Sequence, residues 1–113
     1  MPKRDVIRLQ HMLDAATKAV QFSADRERAD LDRDELFALA IVRLIEIVGE
    51  AASKIEPSTQ ARHSNVPWRL MISARHRLIH GYDDVDLDIV WSIITKDLPE
   101  LVQQLEQAIK DES

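Results

Sequence analysis

The first part of the chain carries apolar residues at helical spacing. From about Lys3 to Phe22 they recur every three or four positions and form one stripe, which predicts an amphipathic helix. This stripe comprises Val6, Leu9, Leu13, Ala16 and Val20. Residues 23–34 are rich in charge and carry no such stripe, so they predict a polar connection with room for a single helical turn.

A second helix is predicted from about Asp34 to Ile55, ending before Pro57 because the residue before a proline disfavours helical backbone. Its apolar residues cover most of its circumference and are interrupted by Arg43, Glu46, Glu50 and Ser53. A helix that is apolar on several sides packs on several sides. The pattern therefore favours a homodimer, and the alternative is a central helix in a monomeric bundle.

Two further helices follow a connector at residues 57–65. Pro67 at the first helical position opens the third helix, which ends around residues 80–81 because glycine commonly stops a helix. The last helix is predicted over about 86–110, and Pro99 must kink it or start a new helix. These patterns predict an all-α antiparallel bundle of about four main helices, the last one kinked at Pro99.

The composition agrees with a single helical domain spanning residues 1–113. Only 2 Gly and 4 Pro occur, although sheets need turns that draw on these residues. The chain has no cysteine, which excludes disulfides and thiolate metal sites. Neither a signal peptide nor a membrane span is visible, so we expect a cytoplasmic protein without a membrane partner.

The charges are distributed unevenly. Residues 57–82 contain no Asp or Glu, four Arg and three of the four His, so this window carries +4 while the rest of the chain carries −9. A net charge of −5 argues against a protein that coats nucleic acid generally. It leaves room for a small site that acts on one phosphodiester.

Arg75 and His80 are the candidate catalytic pair in this window, with four residues between them. The guanidinium is a planar fork that matches phosphate oxygens, and the imidazole gives or takes a proton near neutral pH. Such a pair can cleave RNA without a metal, the 2′-OH attacking its own phosphodiester. The alternative is a basic helix end whose histidine complements the helix dipole.

The spacing of the pair constrains its geometry. Five positions correspond to about 140° around an α-helix, so a regular helix cannot present both side chains on one face. Either His80 lies where the helix ends, or a two-fold axis brings His80 of one subunit near Arg75 of the other. Nearby, Tyr82 is either a half-buried tyrosine or an RNA contact and modification site. His76 and Arg77 are either solvated or steer phosphate, and His11 and His63 have the pattern of ordinary surface residues.

The other motifs favour structural roles. Asp84, Asp86 and Asp88 have the spacing of a calcium loop, but Ile89 and Thr95 stand where that loop needs Gly and Glu. Helix capping is the better interpretation, and no spacing suits zinc. The small residues at 49–52 predict a close helix approach, with Glu50 paired to a cation such as Arg75 or Arg77. Trp68 and Trp91 are predicted core anchors.

Several segments together resemble the HepT-like toxins of the HEPN superfamily. These are IEIVGEAA at residues 45–52, VPWR at 66–69, RHRLIHGY at 75–82, the stretch from 85 to 91, and Asp-Leu-Pro at 97–99. The family motif R-x4-H-x-Y is met by Arg75, His80 and Tyr82. One departure is visible, since many relatives place Asn directly after the Arg and this chain has His76.

The resemblance implies a HEPN-like helical homodimer with its Arg/His pairs near the two-fold axis. It implies a metal-independent ribonuclease toxin, without a cofactor, of a type II or type VII toxin–antitoxin pair. The implied partner is an MNT-type nucleotidyltransferase antitoxin that can transfer AMP from ATP onto the motif tyrosine, Tyr82. The rival hypothesis is a non-catalytic helical dimer that binds a nucleotidyltransferase or a nucleotide. A metal-dependent bundle enzyme is disfavoured because paired Glu-x-x-His motifs are missing.

Overall fold

A computed structural model describes residues 3–81 and 84–112. Its helices are α1 (Lys3–Ser23), α2 (Asp30–Arg33), α3 (Glu35–Ser53), α4 (Pro57–Arg62), α5 (Trp68–Leu78), α6 (Leu87–Ser92) and α7 (Leu98–Glu112). A π-helical segment, Ile93–Asp97, joins α6 to α7, and two short strands, β1 (Ile79–Gly81) and β2 (Asp84–Val85), follow α5. The all-α prediction is confirmed, with a minor two-stranded addition.

The bundle is built around α1 and α3. Helix α1 packs against both α3 and α7, and α3 packs against α5 on another side. The core between them is aliphatic and includes fully buried Leu9, Met12 and Ile41 together with Leu98 and Leu101. The predicted stripe of α1 and the crowded apolar surface of α3 therefore both enter one core.

Helix α3 also keeps apolar residues in solvent. Its start is capped by Asp34, whose Oδ1 accepts from the Phe37 N–H at 3.1 Å. On the outer side of α3, Leu36 is 82% exposed and Leu39 is 60% exposed. The two leucines are exposed apolar surface on α3, and the homodimer stays a prediction.

Two predictions about the middle of the chain are wrong. Residues 57–65 are not a plain connector, because Pro57–Arg62 form α4 with the proline at its start. Glycine does not end α5 either. The helix ends at Leu78, Ile79 is extended, and Gly81 lies in β1 without a positive φ. Pairing with β2 ends the helix, helped by Asp86, whose N–H donates to the Leu78 carbonyl at 2.7 Å.

The break expected at Pro99 is present as a π-helical turn that precedes the proline. Proline lacks an N–H, and its ring clashes with the carbonyl four residues earlier in a regular helix. The chain widens into the π-helical turn Ile93–Asp97 just before it, where the Leu98 N–H donates to the Ile93 carbonyl. The interruption therefore spreads over one wide turn upstream of the proline.

His63 is a further correction, because it is only 6% exposed and is not a surface residue. Its Nε2 lies 2.5 Å from Oε2 of Glu112, which also accepts from Arg62 Nε at 3.1 Å. The hydrogen bond from Arg62 holds the pKa of the Glu112 carboxyl below its usual value. The ionised Glu112 carboxylate therefore stabilises the folded state at neutral pH. This contribution is lost as the pH falls through the lowered pKa of Glu112.

The crossing of α3 and α5 is very close at Gly49. A Cβ added there would lie 2.6 Å from the Met71 carbonyl oxygen, which is part of the backbone of α5. Real carbon–oxygen contacts are longer, so any side chain would push the helices apart. The close approach predicted from the small residues at 49–52 is confirmed.

Gly49→Ala should destabilise the fold by about 1–3 kcal/mol because the new methyl group overpacks the crossing. In an unconstrained helix the same change stabilises by about 0.5–1 kcal/mol, so the sign of the effect is diagnostic. Ser53→Ala, one turn later on an exposed position, is the control and should change little. Urea unfolding measures both, and a stabilised Gly49→Ala protein would contradict the crossing.

Candidate functional site

Arg75 lies in the last turn of α5 and points across to α3. Its Nε donates to Glu46 Oε2 at 3.0 Å, and its side chain is 63% exposed while that of Glu46 is 23% exposed. A guanidinium has five donors in a rigid fork. The contact with Glu46 engages one edge of the fork and leaves Arg75 largely open to solvent.

A cleft of about 370 Å³ lies beside this ion pair, between α3 and α5. Arg75 and His76 line it on the side of α5, and Glu46 and Glu50 line it on the side of α3. Gly49 lies in the same cleft, so the close helix crossing forms part of it. The cleft therefore combines a guanidinium, an imidazole and two carboxylates.

His80 lies beyond the helix, in β1, with its side chain exposed. Because β1 leaves the helical path, the angular separation of a regular helix does not apply to the pair. Among the described residues, no hydrogen bond or ion pair joins His80 to Arg75, and His80 does not line the cleft that holds Arg75. Within one protomer, the histidine in the Arg75 cleft is His76.

Arg77 is turned the other way from its neighbours. One terminal nitrogen donates to the Leu70 carbonyl at 3.4 Å, and its Nε is buried without a partner in the described structure. Burial raises the pKa of the Asp97 carboxyl, and the charge of Arg77 opposes that shift. This placement favours a structural role for Arg77 over an RNA contact. Tyr82 lies outside the described residues.

Glu50 has a cationic partner, as expected, but the partner is neither Arg75 nor Arg77. Glu50 pairs with Lys54 on its own helix at 3.6 Å, and the acid that binds Arg75 is Glu46. The sequence carried a usable signal, since Glu46 and Glu50 are four residues apart and share one side of α3. Which of the two meets α5 depends on where the helices cross.

The acidic stretch after β1 caps a helix, as predicted. Asp86 Oδ1 accepts from the N–H groups of Asp88 and Ile89, each at 3.1 Å, at the start of α6. Asp88 accepts from Arg28 Nε at 2.8 Å. Within residues 3–81 and 84–112, no group of three His, Asp or Glu side chains could hold a metal ion.

An all-α bundle that presents an exposed arginine beside a histidine in an acid-free segment is suited to binding phosphate. The family model for Ribonuclease HepT-like proteins matches residues 12–108. The chain belongs to this HepT-like ribonuclease family within the HEPN group.

Relatives of known name agree with the family. A protein of Methanocaldococcus jannaschii named "Putative RNase MJ1380" is 32% identical, over 94% of this chain and 98% of its own. One of Caldanaerobacter subterraneus, "Putative RNase TTE0752", is 32% identical over 92% and 93%. One of Thermococcus cleftensis, "Probable ribonuclease HepT", is 30% identical over 90% and 93%. No solved structure gives a significant match to the chain. The described helices include none that is long and apolar enough to cross a membrane.

Glu46 is expected to act as a positioning residue for Arg75. Glu46→Gln should lower kcat for RNA cleavage about 10- to 100-fold, because a small misplacement of a phosphate-binding group has effects of that size. The unfolding free energy should change by less than about 1 kcal/mol, since one partner of the pair is mostly exposed. The measurement is kcat at saturating RNA together with urea unfolding.

The matched control is Glu50→Gln, which removes the other carboxylate of the same cleft one turn away. It should leave kcat near the wild-type value, and Glu46→Asp should restore part of the lost rate. A Glu46→Gln protein with unchanged kcat would contradict the positioning role.

Proposed function

We propose that the protein is a metal-independent endoribonuclease toxin in which Arg75 and His80 act on one RNA phosphodiester. The proposal rests on the contact and the exposure of the Arg75 side chain. Its Nε is bound by Glu46 while most of the side chain faces solvent, in a segment without acids of its own. A guanidinium held at one edge is oriented to receive phosphate oxygens at the other.

The chemistry follows from the two side chains. His80 takes the proton of the 2′-OH, and O2′ forms a bond to the adjacent phosphorus. Arg75 stabilises the negative charge that accumulates on the phosphorane-like transition state. The bond from phosphorus to O5′ breaks, and the leaving oxygen receives the proton back from the imidazolium. The products are a 2′,3′-cyclic phosphate and a 5′-OH end.

A homodimer is part of this proposal. The exposed Leu36 and Leu39 on α3 and the partly exposed Ile72 on α5 are apolar residues on the two helices that form the Arg75 cleft. Pairing two copies over these helices would remove that surface from water. It would also allow His80 of one copy to approach Arg75 of the other across a two-fold axis.

Regulation by a nucleotidyltransferase antitoxin completes the proposal. Tyr82 follows His80 by two residues, so its hydroxyl belongs to the same segment as the Arg75/His80 pair. The tyrosine oxygen would attack the α-phosphorus of ATP and displace pyrophosphate, leaving AMP on the phenol. The added phosphate charge and bulk beside Arg75 and His80 would then exclude RNA.

His80→Ala and Arg75→Ala should each reduce RNA cleavage by at least about 100-fold while the protein stays folded. Both side chains are exposed, so their loss removes little packing. Arg69→Ala, an exposed arginine at the other end of α5, is the matched control and should keep wild-type activity. Cleavage of labelled RNA in the presence of EDTA measures all three, and full activity of His80→Ala would refute the assignment.

Incubation with the cognate nucleotidyltransferase and ATP should add AMP to the wild-type protein and abolish its ribonuclease activity. Tyr82→Phe should gain no mass, because the accepting hydroxyl is gone. Intact-mass spectrometry is the measurement. AMP on the Tyr82→Phe protein would place the modification on another residue.

The second candidate is a non-catalytic dimer that binds a nucleotidyltransferase. It is favoured by the absence of His80 from the Arg75 cleft within one protomer. The same cleavage assay separates the two candidates, because a scaffold would leave RNA intact in the wild type and in every variant.

A further inference from the structure

A second groove lies on a neighbouring side of α3, between α3 and α1. Its volume is about 500 Å³, which exceeds that of the cleft beside Arg75. Cationic and imidazole side chains from both helices line it. They are Arg4, Arg8, His11, Arg43 and Lys54, and we call this surface the α1/α3 basic groove.

The charge balance of the α1/α3 basic groove is opposite to that of the whole protein. The chain carries −5, whereas Glu50 is the one acid among the described lining residues, against four permanent cations. Buried Asp5 lies 3.8 Å behind Arg8 and offsets part of its charge. Glu50 lies 3.6 Å from Lys54. In the described structure Arg4 and Arg43 form no ion pair, so both are available to an anion.

The floor of the groove indicates how a ligand would bind. Ile7, Ile47 and Ala51 form it, and Ile7 is 49% exposed. The described lining residues include no Phe, Tyr or Trp, so the groove offers bases no large aromatic side chain on which to stack. Binding through the rim would therefore depend on charge, which is how proteins contact the phosphate backbone of nucleic acid without reading sequence.

The α1/α3 basic groove adjoins the Arg75 cleft. Glu50 lines both, so the two depressions flank the same helix. A helix with its side chains is about 10–12 Å across, which a few nucleotides of single-stranded RNA can span. Glu50 lies near the end of α3, whereas exposed Leu36 and Leu39 lie near its start. A strand that crosses α3 at Glu50 could therefore place a phosphate at Arg75 and further phosphates at Arg4 and Arg43 without meeting the surface proposed for the dimer.

We propose that the α1/α3 basic groove binds the backbone of the same single-stranded RNA whose phosphodiester lies at Arg75 and His80. This inference rests on the proposed ribonuclease function. The groove supplies affinity away from the reacting atoms, so it acts on substrate binding and leaves the chemical step unchanged. RNAs too short to cross α3 gain nothing from it.

Arg4→Gln/Arg43→Gln removes two unpaired cations, and Lys18→Gln/Arg33→Gln removes two exposed cations outside the groove. All four residues are exposed, so both variants should melt like the wild type. Binding is measured by fluorescence anisotropy with a 12-nucleotide RNA on the His80→Ala background, which prevents cleavage. Each measurement is repeated from about 50 to 200 mM salt.

The groove variant should bind more weakly and show a smaller salt dependence. Two lost phosphate contacts reduce the slope of log affinity against log salt by about 1.4 for a single strand. The ratio of RNA affinity without the groove substitutions to RNA affinity with them should therefore fall by about sevenfold between 50 and 200 mM salt. With His80 intact, the groove variant should raise KM for the 12-mer, keep kcat, and cleave a dinucleotide at the wild-type rate.

Equal RNA binding by the groove variant and the control variant would overturn the proposal. Loss of dimerisation or of nucleotidyltransferase binding with RNA affinity unchanged would also overturn it, and would assign the groove to a protein partner. A wild-type protein that cleaves nothing refutes the proposed function only. The anisotropy measurement tests RNA binding by the α1/α3 basic groove independently of cleavage.

Discussion

The close crossing of α3 and α5 at Gly49 is the constraint on which the candidate site depends. The Met71 carbonyl lies where a side chain at position 49 would be. Glu46 is about one turn before this contact on α3, and Arg75 is one turn after it on α5. Because the helices nearly touch, a short carboxylate side chain on one reaches the guanidinium of the other.

The end of α5 determines the position of His80, the second residue of the candidate catalytic pair. The helix ends at Leu78, whose carbonyl accepts a hydrogen bond from the Asp86 N–H. The Asp86 carboxylate accepts from the Ile89 N–H and caps the start of α6. One residue thus closes one helix and caps the next, and the short β1–β2 pairing between them carries His80. The histidine is displaced from the helix by the same contacts that define the hairpin.

Local signals in the sequence were sufficient for the long helices. The apolar stripe of α1, the proline after α3 and the small residues around Gly49 each act through neighbours within a few positions, and the structure agrees with them. The N-cap at Asp86 is of the same kind, since the side chain binds N–H groups two and three residues on. Family membership followed from several such segments in order.

Contacts between residues far apart in the sequence cannot be predicted from such local signals. His63 is buried because Glu112, 49 residues later, reaches it, and a polar α4 without an apolar stripe gives no periodic signal. The contact between Arg75 and Glu46 is of the same kind, because the crossing point of two helices depends on tertiary packing. The α1/α3 basic groove leaves no signal in the sequence, because its cations are dispersed between positions 4 and 54.

The central claim is that Arg75 and His80 bind one anion. The most direct measurement is an NMR titration of labelled protein with a 2′-O-methyl RNA dinucleotide, which cannot be cleaved, following the Arg75 Nε and His80 ring signals. Both signals should shift with one dissociation constant, and Arg75→Ala should abolish the shift at His80. Separate dissociation constants, or an undiminished His80 shift in Arg75→Ala, would contradict this claim.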